Sequence, residues 1–186
     1  DIPAEALISA MRRHQKYFHV VDDNGKLLPL FITVANIDSL DPAQVIGGNE
    51  RVIRPRLADA AFFYHNDLKV SLQERRQNLK KVVYQAQLGS LFEKTERVAA
   101  LSRWLATATG ADPLRAERAG LLCKSDLISD MVGEFDDLQG IMGRYYAVND
   151  GEHPTVARAL YEQYLPRFSG DKLPQEPEGI ALALAD

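Results

Sequence analysis

The residues able to do chemistry are few and scattered. The histidines His14, His19, His65 and His153 are never four apart on a helix, so they form no zincin-like ligand pair. The lone cysteine, Cys123, excludes a disulfide framework and a four-thiolate zinc site. It lies in an apolar helical stretch, where a thiol reads as a small buried hydrophobe rather than a nucleophile. Gly47-Gly48 has no lysine and none of the pattern that cradles phosphate. No Gly-x-Ser-x-Gly turn marks a serine nucleophile. Glu134, Asp136 and Asp137 could surround a hard cation, although three acids in so short a span read more simply as a solvated helix end. Tyr145-Tyr146 offers rings for stacking.

The elements that would position these residues are mostly helices. Residues 2–14 read as a helix, with Pro3 tolerated in the first turn. Residues 17–21 and 28–34 are rich in β-branched and aromatic side chains, and Asp22-Asp23-Asn24-Gly25 between them supplies a hairpin turn. Asp41-Pro42 opens a short helix or turn that Gly47-Gly48-Asn49 is expected to break, so a domain boundary is placed at 48/49. Beyond Leu57 no strand pair stands out. Helices are expected over 57–68 and 72–83. Leu91, Val98, Leu101 and Leu105 mark one face of another helix, ended by Gly110. Asp112-Pro113 reads as an N-cap with proline at the first helical position. Leu114, Leu121, Leu122, Ile128, Met131, Val132 and Phe135 form the next apolar face. Residues 139–148 and 154–164 complete the set, separated by Asn149-Asp150-Gly151. A Pro/Gly-containing loop over 169–179 precedes a last apolar helix. Trp104 and most Tyr and Phe residues fall at core-like positions. The fold class is mainly α: a helical bundle behind a small α+β remnant, a helix plus a β-hairpin.

The 186 residues can bury a substantial core, and 46% hydrophobic with 26% charged residues is an ordinary globular mixture. No apolar run approaches the ~18 residues of a membrane span. The chain begins at Asp1 without Met or a signal-like segment and stops inside the run 180–185, which reads as an internal piece of a longer cytoplasmic protein. The net charge of −4 argues against a polyanion partner until it is divided: residues 1–50 carry −3, residues 51–103 carry +6 and residues 104–186 carry −7.

Lys94-Thr95-Glu96-Arg97-Val98 and Ala119-Gly120-Leu121-Leu122-Cys123-Lys124 resemble the HD superfamily, an all-α fold of metal-dependent phosphohydrolases. The resemblance places that family's metal ligands at Lys94, Cys123, Lys124 and Asp186. Only Asp186 keeps a ligand, and two lysines set positive charge where a cation would sit. It therefore implies the fold and speaks against the hydrolase activity. Asp126 is out of register to rescue it. An active metal-dependent HD-type phosphohydrolase is the alternative function.

Longer stretches resemble the β subunit family of bacterial heterotetrameric glycyl-tRNA synthetases. They are Met11-Arg12-Arg13-His14-Gln15-Lys16-Tyr17-Phe18, Gly48-Asn49-Glu50-Arg51-Val52-Ile53-Arg54-Pro55-Arg56-Leu57-Ala58-Asp59-Ala60, Leu88-Gly89-Ser90, Lys94-Thr95-Glu96-Arg97, Lys124-Ser125-Asp126-Leu127, Glu134-Phe135-Asp136-Asp137-Leu138-Gln139-Gly140-Ile141-Met142-Gly143 and Tyr161-Glu162-Gln163-Tyr164-Leu165-Pro166-Arg167-Phe168. The resemblance implies that residues 1–48 end a B3/4-like domain and that residues 49–186 form a degenerate, truncated HD-like domain. It implies a part in ATP-dependent charging of tRNA(Gly) with glycine, through tRNA binding and subunit assembly. The ATP, Mg²⁺ and glycine sites would lie on the α subunit, with no catalytic, cofactor or metal site in this chain and no membrane partner. Within that frame Arg51, Arg54, Arg56, Arg75, Arg76, Lys80 and Lys81 become candidates for contact with tRNA phosphates. The competing readings are arginines paired with junction acids, and a protein-interaction module that does not touch RNA.

Overall fold

The computed structural model describes residues 2–186, so Asp1 lies outside the described residues. The chain divides into two compact units, residues 1–66 and 67–186.

In the first unit α1 (Ala4–Ser9) continues as a wider π-helical turn over Ala10–His14. Strands β1 (Phe18–Val21) and β2 (Leu27–Ile32) pair antiparallel, Phe18 opposite Ile32 and His19 opposite Phe31. The expected turn joins them. The Asp22 carboxylate accepts the Asn24 and Lys26 N–H groups, and Gly25 supplies φ 78°. The core is small: Met11, Tyr17 and Ile53 are buried, with Leu7, Ile8, Leu27, Phe31 and Leu57 against them.

Helix α2 (Pro42–Asp67) corrects the expected break at residues 47–49. Asp41 accepts the N–H of Ala43 and Gln44, and the helix then runs through Gly47, Gly48 and Pro55. A glycine inside a helix costs about 1 kcal/mol, which tertiary contacts can offset. Asn49 supplies one: its Oδ1 accepts the Tyr17 hydroxyl at 2.6 Å, while its Nδ2 donates within the helix to the Val45 carbonyl at 2.7 Å. The helix ends at Asp67, the first residue of the second unit, so the compact units divide at 66/67 instead of 48/49.

The second unit is the helical bundle. Its helices are α3 (Leu72–Asn78), α4 (Leu91–Thr109), α5 (Pro113–Leu122), α6 (Asp130–Glu134), α7 (Ile141–Asn149), α8 (Pro154–Glu162) and α9 (Pro177–Ala185). Capping chemistry fixes their starts. Ser71 with Glu74 and Ser90 with Glu93 form capping boxes, and Asp112 caps α5 ahead of Pro113. Gly110, at φ 76°, ends α4 as expected. Helix α4 packs closely on α5 and α9. At the α4–α5 crossing a Cβ on Gly120 would lie 2.5 Å from Ala99 Cα, so only glycine permits that approach.

Four local expectations change. The segment after α3 is a short 3-10 turn over Leu79–Lys81, followed by a small hairpin of β3 (Val83–Gln85) and β4 (Gly89–Ser90). The apolar face read over 114–135 is split by a 3-10 turn at Ser125–Ile128, and Leu114 is exposed. Trp104 is 74% exposed, because it lies on the side of α4 opposite the buried Val98, Ser102 and Ala106. Tyr145 and Tyr146 diverge: Tyr146 is buried while Tyr145 is half-buried with the Arg144 guanidinium over its ring.

Candidate functional site

The C-terminal ends of α5 and α9 and the first turns of α4 converge, and they bring together the four positions singled out from the sequence. Lys94 Nζ lies 2.8 Å from Asp186 Oδ1, and Lys124 Nζ lies 2.5 Å from Oδ2 of the same carboxylate. One aspartate is thus held between two ammonium groups. Lys124 also donates to Gln163 Oε1 at 3.0 Å and to the Tyr164 hydroxyl at 3.4 Å, with the Tyr164 ring 4.6 Å away. Gln163 is fixed in turn, since its Nε2 donates to the carbonyls of Cys123 and Leu160. Lys94 Nζ stands 4.7 Å over the ring of Tyr84.

The electrostatics follow from this arrangement. Burial alone would raise the Asp186 carboxyl, but the Lys124 charge and the hydrogen bonds from both lysines outweigh it and hold it below the ordinary value. Burial alone would lower the Lys94 ammonium, and the bond and charge of Asp186 reverse that, so it stays protonated to unusually high pH. Cys123 is buried and its thiol is pushed up to about 12 by burial. It is therefore neutral at ordinary pH. Alkylation of native protein by iodoacetamide at pH 8 is expected to leave Cys123 unmodified, with full labelling after denaturation. Mass spectrometry of the Cys123 peptide checks this, and rapid native labelling would refute it.

An ammonium has three N–H donors and no lone pair, so Lys94 and Lys124 cannot ligate a cation. A neutral thiol and one carboxylate already shared by two lysines do not make a divalent site. The residues present do not fit the metal of an HD hydrolase. Among the described residues no group of three His, Cys, Asp or Glu side chains is placed to hold a metal ion. Glu134, Asp136 and Asp137 are exposed at the end of α6 and in the 3-10 turn after it. Asp126 is buried outside the lysine cluster: burial raises its pKa, and its Oδ2 accepts the N–H groups of Gly140 and Gly143.

The basic candidates separate into two kinds. Arg51, Arg54 and Arg56 are exposed along α2, and Lys80 and Lys81 are exposed after α3. Arg54 meets Glu50 at 3.3 Å and Arg56 meets Asp59 at 3.7 Å, as surface pairs. Such pairs are worth about 0–1 kcal/mol, so a phosphate can compete for either guanidinium. Arg75 and Arg76 are buried, so they do not present their charge to solvent as the sequence reading expects. Arg75 donates to the Asp67 carboxylate at 2.7 Å and to its carbonyl at 3.0 Å. Arg76 pairs with Glu96 and lies 4.0 Å over the Phe92 ring.

Two groupings escaped the sequence. Asp67 gathers Arg75, the N–H groups of Asp130 and Met131, and the Tyr146 hydroxyl around one buried carboxylate. Tyr84, Gln163 and Tyr164 complete the lysine cluster. Their partners are distant in sequence, and no local spacing announces them.

Comparison with known proteins places the chain in an aminoacyl-tRNA synthetase family. It belongs to the glycyl-tRNA synthetase beta subunit family, whose model matches residues 1–186. The glycine–tRNA ligase beta subunit of Marinobacter nauticus is 61% identical over 186 residues, all of this chain and 27% of that protein. Those of Chromohalobacter salexigens and Stutzerimonas stutzeri are 59% and 57% identical over the same length, again 27% of each protein. The chain therefore spans about a quarter of the curated relatives it matches.

Proposed function

We propose that this chain is a non-catalytic part of the beta subunit of a glycine–tRNA ligase. It supports tRNA(Gly) binding and assembly with the α subunit during ATP-dependent charging. The observation that carries the reading is the family match along all 186 residues. ATP, Mg²⁺ and glycine are assigned to the α subunit, and the enzyme to the cytoplasm. No helix among the described residues is long and apolar enough to cross a membrane. The convergence of Lys94, Cys123, Lys124 and Asp186 supports a degenerate HD-like reading of the helical unit. Residues ahead of it take the B3/4-like role.

Contacts with tRNA are read on two separate sets of cations, Arg51, Arg54 and Arg56 in the first unit and Lys80 and Lys81 in the second. Each cation meeting a phosphate releases counterions, so the logarithm of affinity falls with the logarithm of salt by about 0.7–0.9 per contact. In the assembled full-length enzyme, reversing Lys80 and Lys81 to Glu should weaken tRNA binding and flatten that slope by about 1–2. Filter binding across a salt series measures it. An unchanged slope for this variant and for reversal of Arg51, Arg54 and Arg56 would remove tRNA contact from this part of the subunit.

A further inference from the structure

The β3–β4 hairpin contributes almost nothing to the core. Its two strands pair only with each other, and its side chains face solvent: Val83 is 74% exposed, Tyr84 43% and Leu88 53%. It is nevertheless rigidly built. Gln85 Oε1 accepts the N–H groups of Gln87 and Leu88, closing the turn. Gly89 takes φ 84°, where a Cβ would also collide with the Glu93 carboxylate. Ser90 then anchors the hairpin to α4 through its capping box with Glu93. The hairpin thus presents a half-exposed aromatic ring and two exposed aliphatic residues on one well-bonded projection.

Charge indicates what covers it. Lys80 and Lys81 are exposed at its base, in the segment carrying +6. Nearby acids are engaged: Glu93 in the capping box and Glu96 with Arg76. One side of the Tyr84 ring is backed by the Lys94 ammonium at 4.7 Å, and Lys94 is held by Asp186 at 2.8 Å. The aspartate–lysine pair thus props the ring while leaving much of it exposed. A ring held beside exposed lysines suits a nucleotide, because every nucleotide has a base with a π-face to stack and a phosphate to neutralise.

We propose that the β3–β4 hairpin is an RNA-contacting finger on which Tyr84 stacks against an unpaired base while Lys80 and Lys81 meet the adjoining phosphates. Stacking requires a base splayed out of a helix, so the target is a single-stranded end, loop or bulge. The proposal rests on the tRNA-binding reading above and adds the element and the mode of contact.

The test uses the assembled full-length enzyme and its tRNA. Tyr84→Ala should raise the tRNA dissociation constant by about 5- to 150-fold, the scale of one lost base–aromatic stack. Tyr84→Phe keeps the ring and should restore most of that affinity. Tyr84 is exposed, so hydrogen exchange across α4 should be unchanged in both variants. A 4-thiouridine-substituted tRNA should crosslink to the peptide carrying Tyr84. Wild-type enzyme that binds tRNA while Tyr84→Ala binds equally well and the crosslink is missing overturns the finger but leaves the tRNA reading standing. A Tyr84→Ala variant that loses subunit association and keeps tRNA affinity overturns it in favour of a protein contact. Wild-type enzyme whose tRNA affinity ignores every charge reversal above defeats the reading beneath it.

Discussion

Replacing Asp67 by alanine is expected to destabilise the helical unit by about 3–5 kcal/mol, the scale for removing one partner of a buried ion pair. The carboxylate is fully buried and has no water to fall back on. Its Oδ1 accepts from Arg75 and from the Asp130 N–H; its Oδ2 accepts from the Met131 N–H and the Tyr146 hydroxyl. Truncation strands a guanidinium, two amides at the start of α6 and a phenol at once. A buried donor left unmade costs about 1–3 kcal/mol, so the loss exceeds that of any one bond. Burial and the Asp67 contact push the Tyr146 hydroxyl well above the ordinary tyrosine range, so it stays a donor and cannot trade roles. Chemical denaturation followed by circular dichroism measures the total. Hydrogen exchange localises it, because the Asp130 and Met131 amides should lose protection first. A variant whose α6 amides exchange as slowly as wild type would show that this network does not hold α6. Arg75 spends its charge inside the fold, on the Asp67 carboxylate and carbonyl.

The elements of this fold were legible where one local rule acted alone. Asp112 with Pro113, and Gly110 after α4, each mark a helix end by capping chemistry, and the structure follows them. The turn at Asp22–Gly25 was readable for the same reason. Rules failed where a distant contact overruled a local one. Gly47-Gly48-Asn49 reads as a breaker, yet Asn49 Oδ1 accepts the hydroxyl of the distant Tyr17 and the helix passes through. The β3–β4 hairpin is too short for periodicity to register, and its strands have no apolar face to announce them.

The candidate site divides in the same way. The family resemblance pointed to Lys94, Cys123, Lys124 and Asp186 as one locus, although 92 positions separate the first from the last. The fold joins them through α4, α5 and α9. Residue type then decided the chemistry, since two ammonium groups and a neutral thiol leave no donors for a metal. Charge counting was less informative. The +6 of residues 51–103 includes Arg75 and Arg76, which are turned inward onto Asp67, Glu96 and Phe92. A segment charge says nothing about which side chains face outward. Only the structure separates them from Arg51, Arg54, Arg56, Lys80 and Lys81.

Asp186→Asn is expected to cost about 3 kcal/mol, because it leaves two ammonium groups close together with no anion between them. The effect should carry a pH signature. The Asp186 carboxyl titrates below the ordinary 3.8 in the folded chain, so its contribution is complete above the unfolded value and is lost as pH falls through the folded one. Lys94 titrates above the ordinary 10.5, so its contribution is complete below that value and is lost as pH rises through the folded one. Stability from the cluster should therefore form a plateau between an acid limb below pH 3.8 and an alkaline limb above pH 10.5. Denaturation midpoints across pH for wild type and Asp186→Asn test this, since the difference between the two should shrink as Asp186 protonates in the wild type. Replacing Lys94 and Lys124 by Met together with Asp186→Leu should recover much of the loss, because apolar groups of similar shape carry no desolvation cost. A midpoint difference that stays constant from pH 7 down through the acid limb would mean that the carboxylate's charge is not what binds the two lysines. Recovery by the triple replacement would separate that electrostatic cost from lost packing, since a packing defect at the end of α9 would persist when all three charges are gone.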